Sequence, residues 1–228
     1  MNDAIVIIAA MTGELKPLVR SWAALETRDG VDGWQHPNGP IMAFAGGMGA
    51  AAAMRSFARA SQVCQPVRLL SVGWAGALTE ELTPGALVRP AFVRDLRTGE
   101  MLQADGTSGI LLTATKVAVR EEKQRLGRTY DHALAVDMEA ATVARLAAAH
   151  DLHFSAIKAI SDTLHEELPD MNPFVRPDGS FATARFAARM ALRPQHWRGL
   201  ALFGRQATSA AESLAAAVAD EIGIERPR

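Results

Sequence analysis

The stretch from Ala133 to Asp162, ALAVDMEAATVARLAAAHDLHFSAIKAISD, leaves the chain few choices beyond strand, helix, strand. Ala133–Val136 is a short apolar run, Met138–His150 is rich in helix formers, and Phe154–Ile160 is a second apolar run. Asp137 and Glu139 follow the first run and Asp162 follows the second. Ligands of open α/β sheets bind just beyond the carboxyl ends of the strands. Parallel pairing of the two strands therefore brings Glu139 and Asp162 together, facing a ligand. Each acid alone is equally explained as a helix cap or a match to the helix dipole. Together they point to a site.

Composition narrows the partners. The chain has 228 residues, 49% of them apolar, and a formal net charge of −1. That is enough for one sizeable α/β core and gives no electrostatic argument for nucleic acid. A single cysteine, Cys64, excludes an intrachain disulfide framework and a multi-Cys zinc site; with no cation beside it in sequence, it is expected to be inert. The six histidines show no HExxH or HxH spacing, so no metal is expected. The start of the chain lacks a basic stretch followed by a cleavage site, and no apolar stretch reaches membrane-spanning length. The expectation is a soluble cytoplasmic protein.

Further strands end in acids or small residues. Ala4–Ala10 is a continuous apolar run, the pattern of a strand buried on both faces, and leads to Glu14. Leu15–Leu25 is expected to be helical, with Pro17 in a tolerant first turn. Gly30, Gly33, Pro37, Gly39 and Pro40 mark turns between short strands. Ile41–Ala45 is a strand running into Gly46-Gly47-Met48-Gly49 and then an Ala-rich helix, Ala50–Ser61. Such a turn either cradles an anion or packs backbone closely; it matches neither the dinucleotide fingerprint nor the P-loop. Val67–Val72 is a strand ending in Gly73-Trp74-Ala75-Gly76, where a ligand could approach the backbone. Asp105-Gly106 reads as a hairpin turn, Leu111–Ala114 as a strand, and Arg120–Arg128 as a solvated charged run. Glu166–Ser180, with three prolines, reads as a long irregular loop. Phe181–Leu192 is helical, Pro194 interrupts it, and His196–Val218 continues as one or two amphipathic helices. Arg185, Arg189, Arg193, Arg198 and Arg205 make this tail basic, so a weak membrane-surface contact stands beside a plain solvated face.

Five pieces in this order resemble the nucleoside phosphorylase superfamily, and within it the methylthioadenosine/S-adenosylhomocysteine nucleosidases. They are Ala10-Met11-Thr12-Gly13-Glu14, Gly47-Met48-Gly49-Ala50, Gly73-Trp74-Ala75-Gly76, Asp137-Met138-Glu139 and Ile160-Ser161-Asp162. The resemblance implies a single three-layer α/β/α domain over 1–228, with a central mixed, mostly parallel sheet and 181–228 as a C-terminal helical segment. It implies hydrolysis of the N-glycosidic bond of a 5′-substituted purine nucleoside, with no cofactor. Asp162 matches the acid that protonates purine N7, and Glu14 the base that activates water. Glu139 matches the carboxylate that holds the ribose hydroxyls, with Met138 beside the sugar. Asp137, Gly47, Trp74, Ala75, Gly76, Val117, Lys158 and Ser161 fall at the remaining substrate-binding positions.

Three departures bear on the substrate. Trp74 stands where the family carries a serine, Lys158 where it carries an arginine near the sugar, and Thr113–Val119 lacks the expected aromatic. Phosphorolysis is the first alternative, although neither Arg55 nor Arg68 sits in a matching motif. A bulky adenosyl-lipid such as an adenosyl-hopanoid is the second, and a non-catalytic nucleoside-binding protein the third. Relatives are dimers or trimers, so a homo-oligomer is expected.

Overall fold

The computed structural model describes residues 3–193 and 197–227, the Arg198 side chain apart. Among the described residues, eleven strands make one sheet and six helices accompany it, covering both faces. The strands are β1 (Asp3–Ala9), β2 (Ala23–Arg28), β3 (Val31–Gln35), β4 (Ile41–Ala45), β5 (Gln65–Ala77), β6 (Leu87–Val88), β7 (Phe92–Asp95), β8 (Met101–Gln103), β9 (Ile110–Thr113), β10 (Ala133–Asp137) and β11 (His153–Asp162). The helices are α1 (Thr12–Leu15), α2 (Ala50–Val63), α3 (Arg120–Thr129), α4 (Ala140–Ala149), α5 (Thr183–Ala191) and α6 (Trp197–Ile222).

The apolar run of β1 is buried on both faces because each face has its own helices. Ala4, Val6 and Ile8 pack in one core with Phe57 of α2 and Val143 of α4, while Ile7 and Ala9 pack in another with Leu15 and with Leu214 and Val218 of α6. This is the three-layer α/β/α arrangement. The longest pairings are parallel: β4 with β1, β1 with β5, and β5 with β11. Antiparallel pairs sit at both margins, β2–β3–β4 on one side and β7–β8 on the other, and also where β10 meets β5 and β6 meets β11.

Beta strand β5 organises the site. Its first half pairs with β1 through Ser71, and its end pairs with β10 at Gly76 and Ala77, antiparallel. Strand β11 follows the opposite edge from Arg68 to Gly76. β1 and β10 therefore share one edge of β5 and run toward each other, their carboxyl ends meeting opposite Gly73–Ala75. Gly73, at φ 142°, carries β5 through this junction.

Several expectations are corrected. β10 and β11 do not pair with each other; both flank β5, so Glu139 and Asp162 approach through that third strand. Leu15–Leu25 is not a helix. With α1 starting at Thr12, Pro17 falls beyond the first turn that tolerates it, and Ala23 onward pairs with β3. Asp105-Gly106 does not close a hairpin. The turn lies between β7 and β8, where Asp95 Oδ1 accepts the Arg97 N–H at 2.8 Å and the Thr98 N–H at 3.3 Å. The helix of the central stretch starts at Ala140, after Met138 and Glu139, and Val67–Val72 is the middle of the longer β5. The loop from Glu166 to Ser180 is irregular, as its prolines imply, with a 3-10 turn at Asn172–Phe174 and an isolated bridge from Val175 to Phe181. The proposed break at Pro194 and the helix start at His196 lie outside the described residues; from Trp197 the tail is one helix.

Candidate active site

A cavity of about 350 Å3 opens where β1, β5, β10 and β11 end. Ten of the residues singled out by sequence line it: Glu14, Trp74, Ala75, Gly76, Val117, Asp137, Met138, Glu139, Ser161 and Asp162. Gly47 and Lys158 do not. Gly47, at φ 109°, lies so close to Gly179 that a Cβ would stand 2.6 Å from its carbonyl oxygen, which is the close-packing alternative for that turn. Lys158 lies beneath the floor.

Glu14, Glu139 and Asp162 are each less than a tenth exposed. Glu14 reaches back over α1, where its Oε2 accepts the Met11 N–H at 2.8 Å, half of a capping box. Its Oε1 accepts the Trp74 N–H at 2.7 Å. The carboxylate fits only because residue 73 is glycine: a Cβ there would stand 2.7 Å from Oε1. Glu139 occupies the cap position of α4 without capping it, and its Oε1 instead accepts the Gly49 N–H at 2.6 Å. The capping alternative is thus met in part by Glu14 but not by Glu139.

Asp137 forms the charged floor, with Lys158 beneath it. Lys158 Nζ lies 2.9 Å from Asp137 Oδ2 and donates to Ser71 Oγ at 3.1 Å. Asp137 also accepts from Thr113 Oγ1 at 2.7 Å and from the Ala140 N–H at 2.9 Å. Its lone pairs are therefore committed to the fold, leaving Glu139 as the acceptor with capacity to spare.

Burial sets the protonation of this cluster. It pushes the Glu14 carboxyl above the ordinary range, against the Met11 and Trp74 N–H groups that pull it down. It pushes Glu139 up to about 8, reinforced by Asp137 and Glu14 and opposed by Lys158 and the Gly49 N–H. For Lys158, burial would favour the neutral amine, but Asp137, Glu139 and Glu14 outweigh it and the ammonium is favoured.

A stability test follows from Glu139. Between its ordinary 4.5 and about 8, the folded state holds a proton that the unfolded chain gives up, so stability falls as pH rises through that window. Glu139→Gln keeps an acceptor for the Gly49 N–H and removes this slope. Relative to wild type, it should gain roughly 2–4 kcal/mol between pH 5 and pH 8.5 in denaturant unfolding. A difference that stays constant across those pH values would show that Glu139 ionises freely.

One charged residue at the site escaped the sequence reading. Lys123, within the charged run expected to be solvated, is wholly buried on the inner face of α3. Its Nζ donates to Asp162 Oδ2 and to the Thr163 carbonyl, while Ser161 Oγ donates to Asp162 Oδ1 at 2.7 Å. The available signal was a lysine three residues before Leu126 on one helical face, too common to interpret alone.

Apart from Lys116 and Thr183, the remaining wall is apolar, and most of it comes from the back of the chain: Leu168, Met171, Phe181, Phe186, Leu200 and Phe203. Asn172 ties this part to the 117 loop, its Oδ1 accepting the Val117 N–H at 2.8 Å and its Nδ2 donating to the Val117 carbonyl at 3.0 Å. Trp74 lines the cavity, its indole N–H buried without a hydrogen-bond partner among the described residues. Cys64 lies away from the cavity, and burial pushes its thiol up to about 11, which suits an inert role.

Residues 98–191 match the family model of the phosphorylase superfamily, a segment that includes Lys123, Asp137, Glu139, Lys158 and Asp162 but not Glu14 or Trp74. No curated protein matches the chain in sequence. Among solved structures, 5′-methylthioadenosine nucleosidase from Arabidopsis thaliana is similar over 98% of this chain and 95% of its own, with a TM-score of 0.70 and 16% identity. The methylthioadenosine/S-adenosylhomocysteine nucleosidase from Colwellia psychrerythraea, in complex with adenine, is similar over 98% and 96%, with a TM-score of 0.69 and 19% identity. Futalosine hydrolase from Helicobacter pylori is similar over 96% and 98%, with a TM-score of 0.63 and 17% identity. The chain shares its fold with these proteins over nearly its whole length.

Proposed function

We propose that this protein is an N-glycosyl hydrolase that cleaves a 5′-substituted purine nucleoside, of the methylthioadenosine or S-adenosylhomocysteine kind, to free base and ribosyl product. The observation that carries the reading is the convergence of three buried carboxylates, Glu14, Glu139 and Asp162, from three separate elements on one cavity. Breaking the bond builds oxocarbenium character on the ribose and negative charge on the base. Asp162 delivers the proton to N7, so the base leaves neutral. Glu139 accepts from the ribose hydroxyls, with Met138 against the sugar, and Glu14 takes the proton of the attacking water. Lys158 pairs with Asp137 beneath the site.

Water is favoured over phosphate as the nucleophile because, among the described residues, no arginine lines the cavity and the lysine that does, Lys116, is exposed. Arg55 donates to the Gly46 carbonyl at 2.8 Å, and Arg68 pairs with Glu221. The aromatic and aliphatic wall from Leu168 to Phe203 favours an apolar 5′ substituent. The same wall, flanked by the exposed Leu192, Trp197 and Leu202, favours a bulky adenosyl-lipid as the second reading, with a weak membrane-surface contact through α5 and α6. Cytoplasmic, homo-oligomeric working as a dimer or trimer belongs to the same proposal; a native mass of one chain would remove the oligomer.

The test is base release from methylthioadenosine, S-adenosylhomocysteine, adenosine and inosine, each with and without phosphate. Release without phosphate, fastest for the 5′-thio nucleosides, is expected. Release that depends on phosphate would replace hydrolysis with phosphorolysis. Failure with all four, in a protein that binds them, would leave a nucleoside-binding role.

A further inference from the structure

The chemistry above gives no work to Lys123, although it is wholly buried. It does not line the cavity; it stands behind Asp162. Three acceptors surround its Nζ: Asp162 Oδ2, the Thr163 carbonyl and, at 3.4 Å, the Glu166 carbonyl. All three ammonium protons are thus directed. Space for the pair comes from Gly76, where a Cβ would stand 3.1 Å from Lys123 Cδ and 3.2 Å from Asp162 Oδ2. With Ser161 on Oδ1 and Lys123 on Oδ2, both carboxyl oxygens are fixed, and the proton nearest to Oδ2 is on the lysine. A buried ion pair adds little stability over an apolar pair of similar volume, so its contribution to the fold does not explain it.

We propose that Lys123 is a positioning residue for Asp162 and that the Lys123–Asp162 pair supplies, as a unit, the proton that reaches the purine N7. This rests on the hydrolytic reading. The proton passes from Nζ to Asp162 Oδ2 and from there to N7 while the C1′–N9 bond breaks and its electron pair goes to the base. The base leaves neutral, Asp162 ends as carboxylate and Lys123 as amine. Glu14 gains the proton that the attacking water loses, so return of that proton through solvent to Lys123 closes the cycle.

The test compares wild type with Lys123→Met and Lys123→Gln on a series of purine nucleosides whose bases are progressively better leaving groups, ending with a 7-methylated one that needs no proton at N7. For the poorest leaving group, kcat in both variants should fall about 100-fold or more, with KM little changed. The loss should shrink along the series to within about threefold for the 7-methylated substrate. Because the slope is read within one preparation, a reduced folded fraction does not alter it, and Gln retains a donor toward Asp162 if Met folds poorly. An equal loss along the series, or none, overturns the role of Lys123 and leaves hydrolysis standing. Wild type that releases no base from any member overturns the hydrolytic reading and this inference with it.

Discussion

Asp162→Asn is expected to lower kcat for purine release by about 10²–10⁴-fold while the protein folds and binds nucleoside. The geometry explains why the two effects separate. Asp162 accepts from Ser161 Oγ on one oxygen and from Lys123 Nζ on the other. An asparagine can satisfy only one of them with its carbonyl oxygen. Lysine has no acceptor, so the carbonyl must face Lys123 and the amide must face Ser161, whose hydroxyl can turn and accept. The hydrogen bonds are therefore kept and the proton path is lost. Steady-state kinetics together with adenine binding check the prediction. Activity within tenfold of wild type would remove Asp162 from the role of acid.

Glu14→Gln should cost about as much in kcat, on the order of 10²–10⁴-fold, but with a loss of stability that Asp162→Asn avoids. Both Glu14 oxygens accept backbone N–H groups, those of Trp74 and Met11. Whichever way a glutamine amide turns, its NH2 opposes one of these donors, which then stays buried without a partner at a cost of about 1–3 kcal/mol. Hydrolysis needs the ionised form of Glu14, and burial has moved its titration upward. In wild type the acid limb of kcat/KM should therefore lie above the ordinary carboxylate range. Undiminished turnover in Glu14→Gln, or an acid limb at the ordinary value, would rule out Glu14 as the base.

Both predictions concern residues visible in the chain before its fold was known, and the reason is local. An apolar run long enough to be a buried strand, followed within a few residues by an acid, fixes which end of a sheet that acid occupies. Ala4–Ala10 did this for Glu14 and Phe154–Ile160 for Asp162. Trp74, Ala75 and Gly76 were legible in the same way, because small residues after a strand leave backbone open to approach.

Residues whose part depends on partners distant in sequence were not legible. Lys158 sits in a strand, but its placement beneath the floor depends on Asp137, which meets it only across β5. The apolar wall from Leu168 to Phe203 consists of ordinary core residues until α5 and α6 fold over the cavity mouth. Lys123 is the sharpest case, since the residues around it alternate charge as a solvated helix face does. The sequence by itself determined the α/β strand and helix pattern and which acids lie at the carboxyl ends of its strands, because periodicity and strand length act within a few residues. Only the tertiary structure decided that β1 and β10 meet head to head on one edge of β5, and that a lysine from a charged helix lies buried against Asp162. Those outcomes depend on which surfaces pack together, and no local pattern encodes that choice.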